Sequence, residues 1–148
     1  MKREMPGTNL TIGELATRTG VSAEAIRYYE REGVVPVAVR GGPGRYRQYG
    51  ETDAERLLFI RRARELGFSV DEVRELLALA DGSPSRPCTD VNRIALAHLA
   101  QVDAKLAQLS ALRAELDRLI GECNGVVPVA DCRILGALSG EDTTDVRR

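Results

Sequence analysis

The chain has 148 residues, a formal net charge of −1, 43% hydrophobic and 4% aromatic residues and no tryptophan. That length suits one compact domain with an extension, and the near-zero charge excludes a uniformly basic coat for nucleic acid. Three cysteines, an odd number, argue against a closed disulfide framework.

The charge is nonetheless uneven. Between Arg18 and Arg64 there are ten arginines against six acidic residues, an excess of four, and the rest of the chain is acidic on balance. No signal peptide is expected, and no apolar run approaches the ~20 residues of a membrane span. The expected compartment is the cytoplasm, where thiols stay reduced and available to metal, and no membrane partner is expected.

Residues 1 to 8 are polar, with Pro6-Gly7, and read as a lead-in. From Asn9 the text is LTIGELATRTGVSAEAIRYYEREGVV. Ile12, Leu15 and Ala16 give one short helical face, and Gly20 breaks it. Ser22, with Glu24 just inside, caps a second helix that carries Ala25, Ile26 and Tyr29 and ends by Gly33 and Pro36. Two short helices around a glycine turn fit a helix-turn-helix, in which the second helix enters the DNA major groove. Arg27, Tyr28 and Arg31 then offer donors to phosphates or base edges. An ordinary helical hairpin with solvated arginines fits the local pattern as well.

Arg40, the Gly41-Gly42-Pro43-Gly44 tip and Arg45, Tyr46, Arg47 and Tyr49 follow. Basic and aromatic residues around a glycine turn suit a β-wing laid on a phosphate backbone. Thr52 or Asp53 is expected to cap a helix through Leu57, Leu58, Ile60, Ala63 and Leu66. Its Arg56, Arg61, Arg62 and Arg64 are open to phosphate or to solvent. Gly67 stops it, and Ser69 with Glu72 forms a capping box for the next helix, with Val70, Val73, Leu76 and Leu77 inward. Asp81-Gly82-Ser83-Pro84 is a linker.

From Cys88 the chain carries apolar residues at Ala95, Leu99, Val102, Leu106, Leu109, Leu112, Leu116 and Leu119, in steps of three and four. Thr89 or Asp90 can cap this helix, and Gly121 with Asn124-Gly125 ends it. About 32 residues at ~1.5 Å each give a rod of roughly 48 Å. Its own chain cannot cover such a stripe, so a partner helix is expected. Cys88 and Cys123 sit at opposite ends and cannot share an ion within one chain. If two copies pack antiparallel, Cys88 of one meets Cys123 of the other, and Cys132, separated from Cys123 by eight residues, can join them. A plain dimerisation helix with incidental cysteines is the alternative. Ile134, Leu135 and Leu138 suggest a short C-terminal helix, and GEDTTDVRR a disordered end.

These stretches resemble the MerR family of bacterial transcription regulators. The resemblance is carried by IGELATRTGVSAEAIRYYEREG, GRYRQYG and FIRRARELGFSVDEVRELL and spans about Leu10 to Leu138. It implies a mainly α fold, with a winged helix-turn-helix DNA-binding domain over 9–80 and a linker over 81–89. An antiparallel coiled-coil dimerisation helix over 90–122, a metal-binding loop with a short C-terminal helix over 123–140 and a tail over 141–148 complete it. It implies a homodimer on double-stranded, palindromic operator DNA, acting with RNA polymerase at the promoter, and no enzyme. Thr11, Ser22, Arg27, Tyr28, Arg31, Arg45, Tyr46, Arg47 and Tyr49 are the DNA-binding candidates. The resemblance also implies an over-long promoter spacer that the activator bends and untwists.

Cys88, Cys123 and Cys132 match the three-thiolate pattern of the mercury-responsive branch, whose ion is held across the dimer interface. Mercury sensors continue with Pro after the third cysteine, whereas this chain has Arg133-Ile134-Leu135, and ADCRIL and CTDVN lean toward lead and cadmium sensors. Hg(II) is therefore the first candidate effector, with Pb(II), Cd(II) or Zn(II) as alternatives. Thiolates select soft ions, and three of them suit Hg(II) or Pb(II), whereas zinc usually takes a fourth ligand. His98, the only histidine, lies over two turns from Cys88 and is left out of the ligand set. Copper sensors use two cysteines in a shorter loop and the iron–sulfur sensor four clustered ones, and neither pattern is present.

Overall fold

The computed structural model describes residues 9–38, 48–123 and 125–140. The expected wing tip with Arg45, Tyr46 and Arg47 lies outside the described residues, as do the lead-in over 1–8 and the tail over 141–148. The described chain is helical: α1 (Ile12–Thr19), α2 (Ala23–Arg31), α3 (Glu51–Glu65), α4 (Val70–Ala80), α5 (Thr89–Glu122), a 3-10 turn (Val129–Asp131) and α6 (Arg133–Leu138). Among the described residues the one β pairing is an isolated antiparallel bridge between Leu10 and Tyr49, with N···O distances of 2.8 and 2.9 Å. It ties Leu10, two residues ahead of α1, to Tyr49, two residues ahead of α3.

Local chemistry sets the helix ends. The Thr11 hydroxyl accepts the Glu14 N–H at 3.2 Å, while the Glu14 carboxylate accepts the Thr11 N–H at 2.8 Å. Ser69 and Glu72 make the same reciprocal pair at 3.2 and 2.7 Å, which satisfies donors that a helix start leaves open. Gly20 closes α1 at φ +70°, a backbone that other residues adopt only with strain. Two expected caps shift. The third helix starts at Glu51, so Gly50 occupies the cap position and Asp53 reaches back to accept its N–H at 2.9 Å. The long helix starts at Thr89, and the Cys88 carbonyl accepts the Asn92 N–H at 2.9 Å. Cys88 itself is therefore the capping residue, one position earlier than expected.

The chain forms two compact units, residues 1–95 and 96–148. In the first, α1 packs on α2 and α3, and α3 on α4. Leu15, Ile26, Val34, Val35, Leu57, Ile60, Val73 and Leu77 form the core, with Tyr49 among them. The boundary between these units falls inside α5, because the first turns of α5 stay with the N-terminal unit, where Ile94 is buried.

In the second unit α5 runs unbroken through Gly121 to Glu122. Arg118 grips Glu115 and Glu122 on either side of it, with the Glu122 bond at 2.6 Å, spacings that favour the helix by a few tenths of a kcal/mol. The φ of +69° at Gly125 helps turn the chain away. Leu96, Leu99, Leu106, Leu109, Leu112, Leu116 and Ile120 are each 54–62% exposed.

Leu57 is fully buried in the α3 face of the core. Leu57→Ala is expected to lower stability by about 2–5 kcal/mol, read as a fall in the urea midpoint at unchanged m-value.

Candidate DNA interface and thiol site

On α2 the inward face is Ile26 and Glu30, and the outward face presents Arg27, Tyr28 and Arg31 to solvent. Those three lie at i, i+1 and i+4, so they share a side of the helix. The Tyr28 ring leans on Tyr29 at a centroid distance of 5.5 Å, and it stays 40% exposed. Ser22 caps α2, its hydroxyl accepting the Ala25 N–H at 3.1 Å, and Thr11 caps α1. Both are exposed at helix starts, where backbone N–H groups and the helix dipole favour an anion.

Tyr49 departs from expectation. Its ring is buried, 1% exposed, and its hydroxyl donates to the buried Glu30 carboxylate. It therefore anchors the base of the wing segment to α2 and does not present a surface to DNA. The sequence placed it among contact residues because its neighbours are basic and aromatic, a pattern blind to which way one side chain turns.

The arginines of α3 and α4 are also resolved. Arg61 donates to the Thr19 carbonyl at the end of α1 at 3.0 Å and to Glu65 at 3.0 Å, and its guanidinium lies across Gly20, where a Cβ would collide with it. Arg64 donates to the Phe68 carbonyl at 2.7 Å, and Arg56 to the Val34 carbonyl at 2.6 Å. Arg74, which sequence reasoning did not single out, donates to the Glu32 carbonyl at 2.7 Å. Arg18, also missed, is on the exposed side of α1 and pairs with Glu51. No sequence signal marks these links, because each joins residues distant in the chain or a side chain to a carbonyl.

The thiols divide. Cys123 and Cys132 are half-buried, and the Cys123 thiol lies near enough to act on that of Cys132. Cys132 precedes α6, and the backbone N–H of Leu135 holds its thiol below the ordinary range. The Ile134 N–H and the Cys123 thiol act in the same direction, against a desolvation that pushes upward. Two adjoining sulfurs, one of them eased toward thiolate, are a donor set for a soft ion. They leave it short of ligands: among the described residues, no three His, Cys, Asp or Glu of one chain converge. Cys88 is exposed at the start of α5, and His98 is buried on α5 and belongs to no such group.

Comparison with known proteins shows what the chain is similar to. The family model described as "MerR HTH family regulatory protein" matches residues 10–80, and that described as "MerR, DNA binding" matches residues 54–119. A "Heavy metal-dependent transcription regulator 2" of Rhizobium meliloti (strain 1021) is 43% identical over 78% of each chain. A "Mercuric resistance operon regulatory protein" of Serratia marcescens is 37% identical over 90% of each. The crystal structure of the transcription regulator PbrR691 from Ralstonia metallidurans CH34, in complex with lead(II), superposes with a TM-score of 0.74. It is 40% identical and covers 87% of this chain and 98% of its own.

With metal removed, the rate at which Cys132 is alkylated is expected to rise with pH along a curve whose midpoint lies below the ordinary thiol value of about 8.5. Mass-spectrometric mapping of labelled Cys132 in a Cys88→Ser chain reads this. A midpoint at or above the ordinary value contradicts the hydrogen-bonded arrangement.

Proposed function

This chain belongs to the MerR family of DNA-binding transcription regulators, and from that premise we propose that it is a cytoplasmic, metal-responsive regulator working as a homodimer. Two α2 helices, with Arg27, Tyr28 and Arg31 outward and Thr11 and Ser22 at helix starts, bind the two halves of a palindromic operator. Two wings carrying Arg45, Tyr46 and Arg47 lie along the flanking phosphates. The domain plan is the one read from the sequence, with DNA binding over 9–80, dimerisation over 90–122 and sensing over 123–140. Relatives described as transcription regulators place the chain outside the enzymes.

The effector site we propose consists of Cys123 and Cys132 of one subunit and Cys88 of the other. One observation carries it: two thiols adjoin, while the third stands at the far end of a helix of 34 residues. At ~1.5 Å per residue such a helix keeps its ends about 50 Å apart. Antiparallel pairing of two exposed leucine faces brings the opposite ends of two such helices together. A bound soft ion supplies a bond between the sensing segment of one subunit and the helix start of the other. Hg(II) is the first choice, on the three-thiolate donor set and the similarity to a mercuric resistance regulator. Pb(II) follows, on the similarity to a lead-bound regulator, with Cd(II) as a further soft alternative, whereas Zn(II) suits three sulfurs less well because it usually takes a fourth ligand.

The response is a population shift. Bending and untwisting promoter DNA costs on the order of 1–6 kcal/mol. Only a ligand that favours the activating dimer by a comparable amount can switch transcription of the resistance genes. The adjoining thiols favour one second reading, a redox regulator in which Cys123 and Cys132 form a disulfide on exposure to peroxide. Activation without metal distinguishes it.

Cys88→Ser, Cys123→Ser and Cys132→Ser are each expected to abolish metal-induced transcription while operator footprints persist. Induction retained in any one removes that residue from the site. A mixed dimer of Cys88→Ser and Cys132→Ser chains keeps one pocket intact and is expected to bind a single ion, against two for the unaltered dimer. A mixed dimer that binds none sinks the shared site. Promoter transcription under titration with Hg(II), Pb(II), Cd(II) and Zn(II), in the presence of a competing thiol, ranks the ions.

A further inference from the structure

We propose that Arg56 and Arg74 are positioning residues for operator binding, a two-point clamp on the C-terminal end of α2 that fixes the angle at which its outer face meets DNA. The proposal rests on the reading of α2 as the helix that contacts DNA. Neither arginine lies on that helix. Arg56 comes from α3, and its Nε donates to the Val34 carbonyl at 2.6 Å. Arg74 comes from α4, and its Nη2 donates to the Glu32 carbonyl at 2.7 Å and approaches the Glu32 carboxylate at 3.4 Å. Glu32 is the cap of α2, and Val34, two residues on, is buried.

The end of a helix exposes carbonyls without intrahelical donors and carries the negative end of its dipole. Two guanidinium groups satisfy both needs there. Each is also held from behind by an acid: Asp81 accepts from Arg56 at 3.0 Å, and Asp71 accepts from Arg74. A planar fork gripped on two sides has little freedom to swing, so it fixes the carbonyl it holds. The two anchors come from different helices and meet α2 at successive points, which resists tilting where a single bond permits it. Arg27, Tyr28 and Arg31 project from the same short helix, so a tilt about its end displaces all three together.

A phosphate contact and a positioning residue differ in salt dependence. Neutralising a phosphate releases counterions, so removing such a contact makes the slope of log K against log salt shallower by about one. Removing a clamp weakens specific binding and leaves that slope alone. The full chain is titrated against an operator duplex selected from a random pool, and against an unrelated duplex, across a range of salt. Circular dichroism verifies that each variant is folded.

The Arg56→Ala/Arg74→Ala chain is expected to bind the operator about tenfold more weakly, with its salt slope and its affinity for the unrelated duplex unchanged. Arg74→Lys is expected not to rescue, because an ammonium cannot grip two acceptors in the plane of a fork. Should the double variant unfold, Arg74→Ala and Arg74→Gln carry the same measurement. A slope shallower by about one per arginine assigns these residues to phosphate and overturns the clamp. Undiminished operator affinity in folded protein overturns it too. Arg27→Ala separates the premise from the proposal: it is expected to flatten the slope, and unchanged binding there removes α2 from DNA whatever the clamp variants do.

Discussion

One long apolar face governs this molecule. Seven large aliphatic residues from Leu96 to Ile120 stand more than half exposed on α5. Removing each from water is worth about 1.5–3 kcal/mol, so the face holds a large unrealised association energy. Contiguous apolar surface of this extent marks an interaction site in a soluble chain. A second helix with the same three- and four-residue spacing covers it with the least rearrangement; the proposed dimer follows from that cover, and its antiparallel sense then gives the shared thiol site. Without it the three cysteines are a pair and an outlier.

The N-terminal unit shows how misleading a charge count can be. Ten arginines crowd the stretch from Arg18 to Arg64, yet Arg56, Arg61 and Arg64, with Arg74 beyond, donate to backbone carbonyls. Such a guanidinium keeps its charge. Its donors, however, are committed to holding helices in place. The side chains displayed outward on α2 are few, and their placement matters more than the total.

Much of the architecture was legible because it is encoded locally. The box at Ser69–Glu72, the cap at Ser22, the break at Gly20 and the apolar period of α5 each need only a few neighbouring residues to read. The adjacency of Cys123 and Cys132 was legible for the same reason, since eight residues with Pro128 and Asn124-Gly125 must turn. What escaped depends on tertiary direction. Tyr49 sits in basic, aromatic text, but the bridge to Leu10 and the bond to Glu30 draw it into the core. The bonds of Arg56 and Arg74 span 22 and 42 residues, and nothing in a solvated-looking arginine announces a distant carbonyl. Cys88 as a helix cap was missed because Thr89 and Asp90 beside it are better caps by chemistry.

The folded thiol loop also bears on the order in which ligands assemble. The loop-closure entropy of bringing two sulfurs together across eight residues has already been met by the turn and α6 before any ion arrives. The second sulfur thus acts at a high effective concentration toward whatever the first has caught, as in any tethered pair. In the proposed dimer the third donor is held in place by the paired helices and not by this loop. In the proposed site, an ion content with two sulfurs needs only this loop, whereas one that demands three also reports where the helix start of the other chain lies.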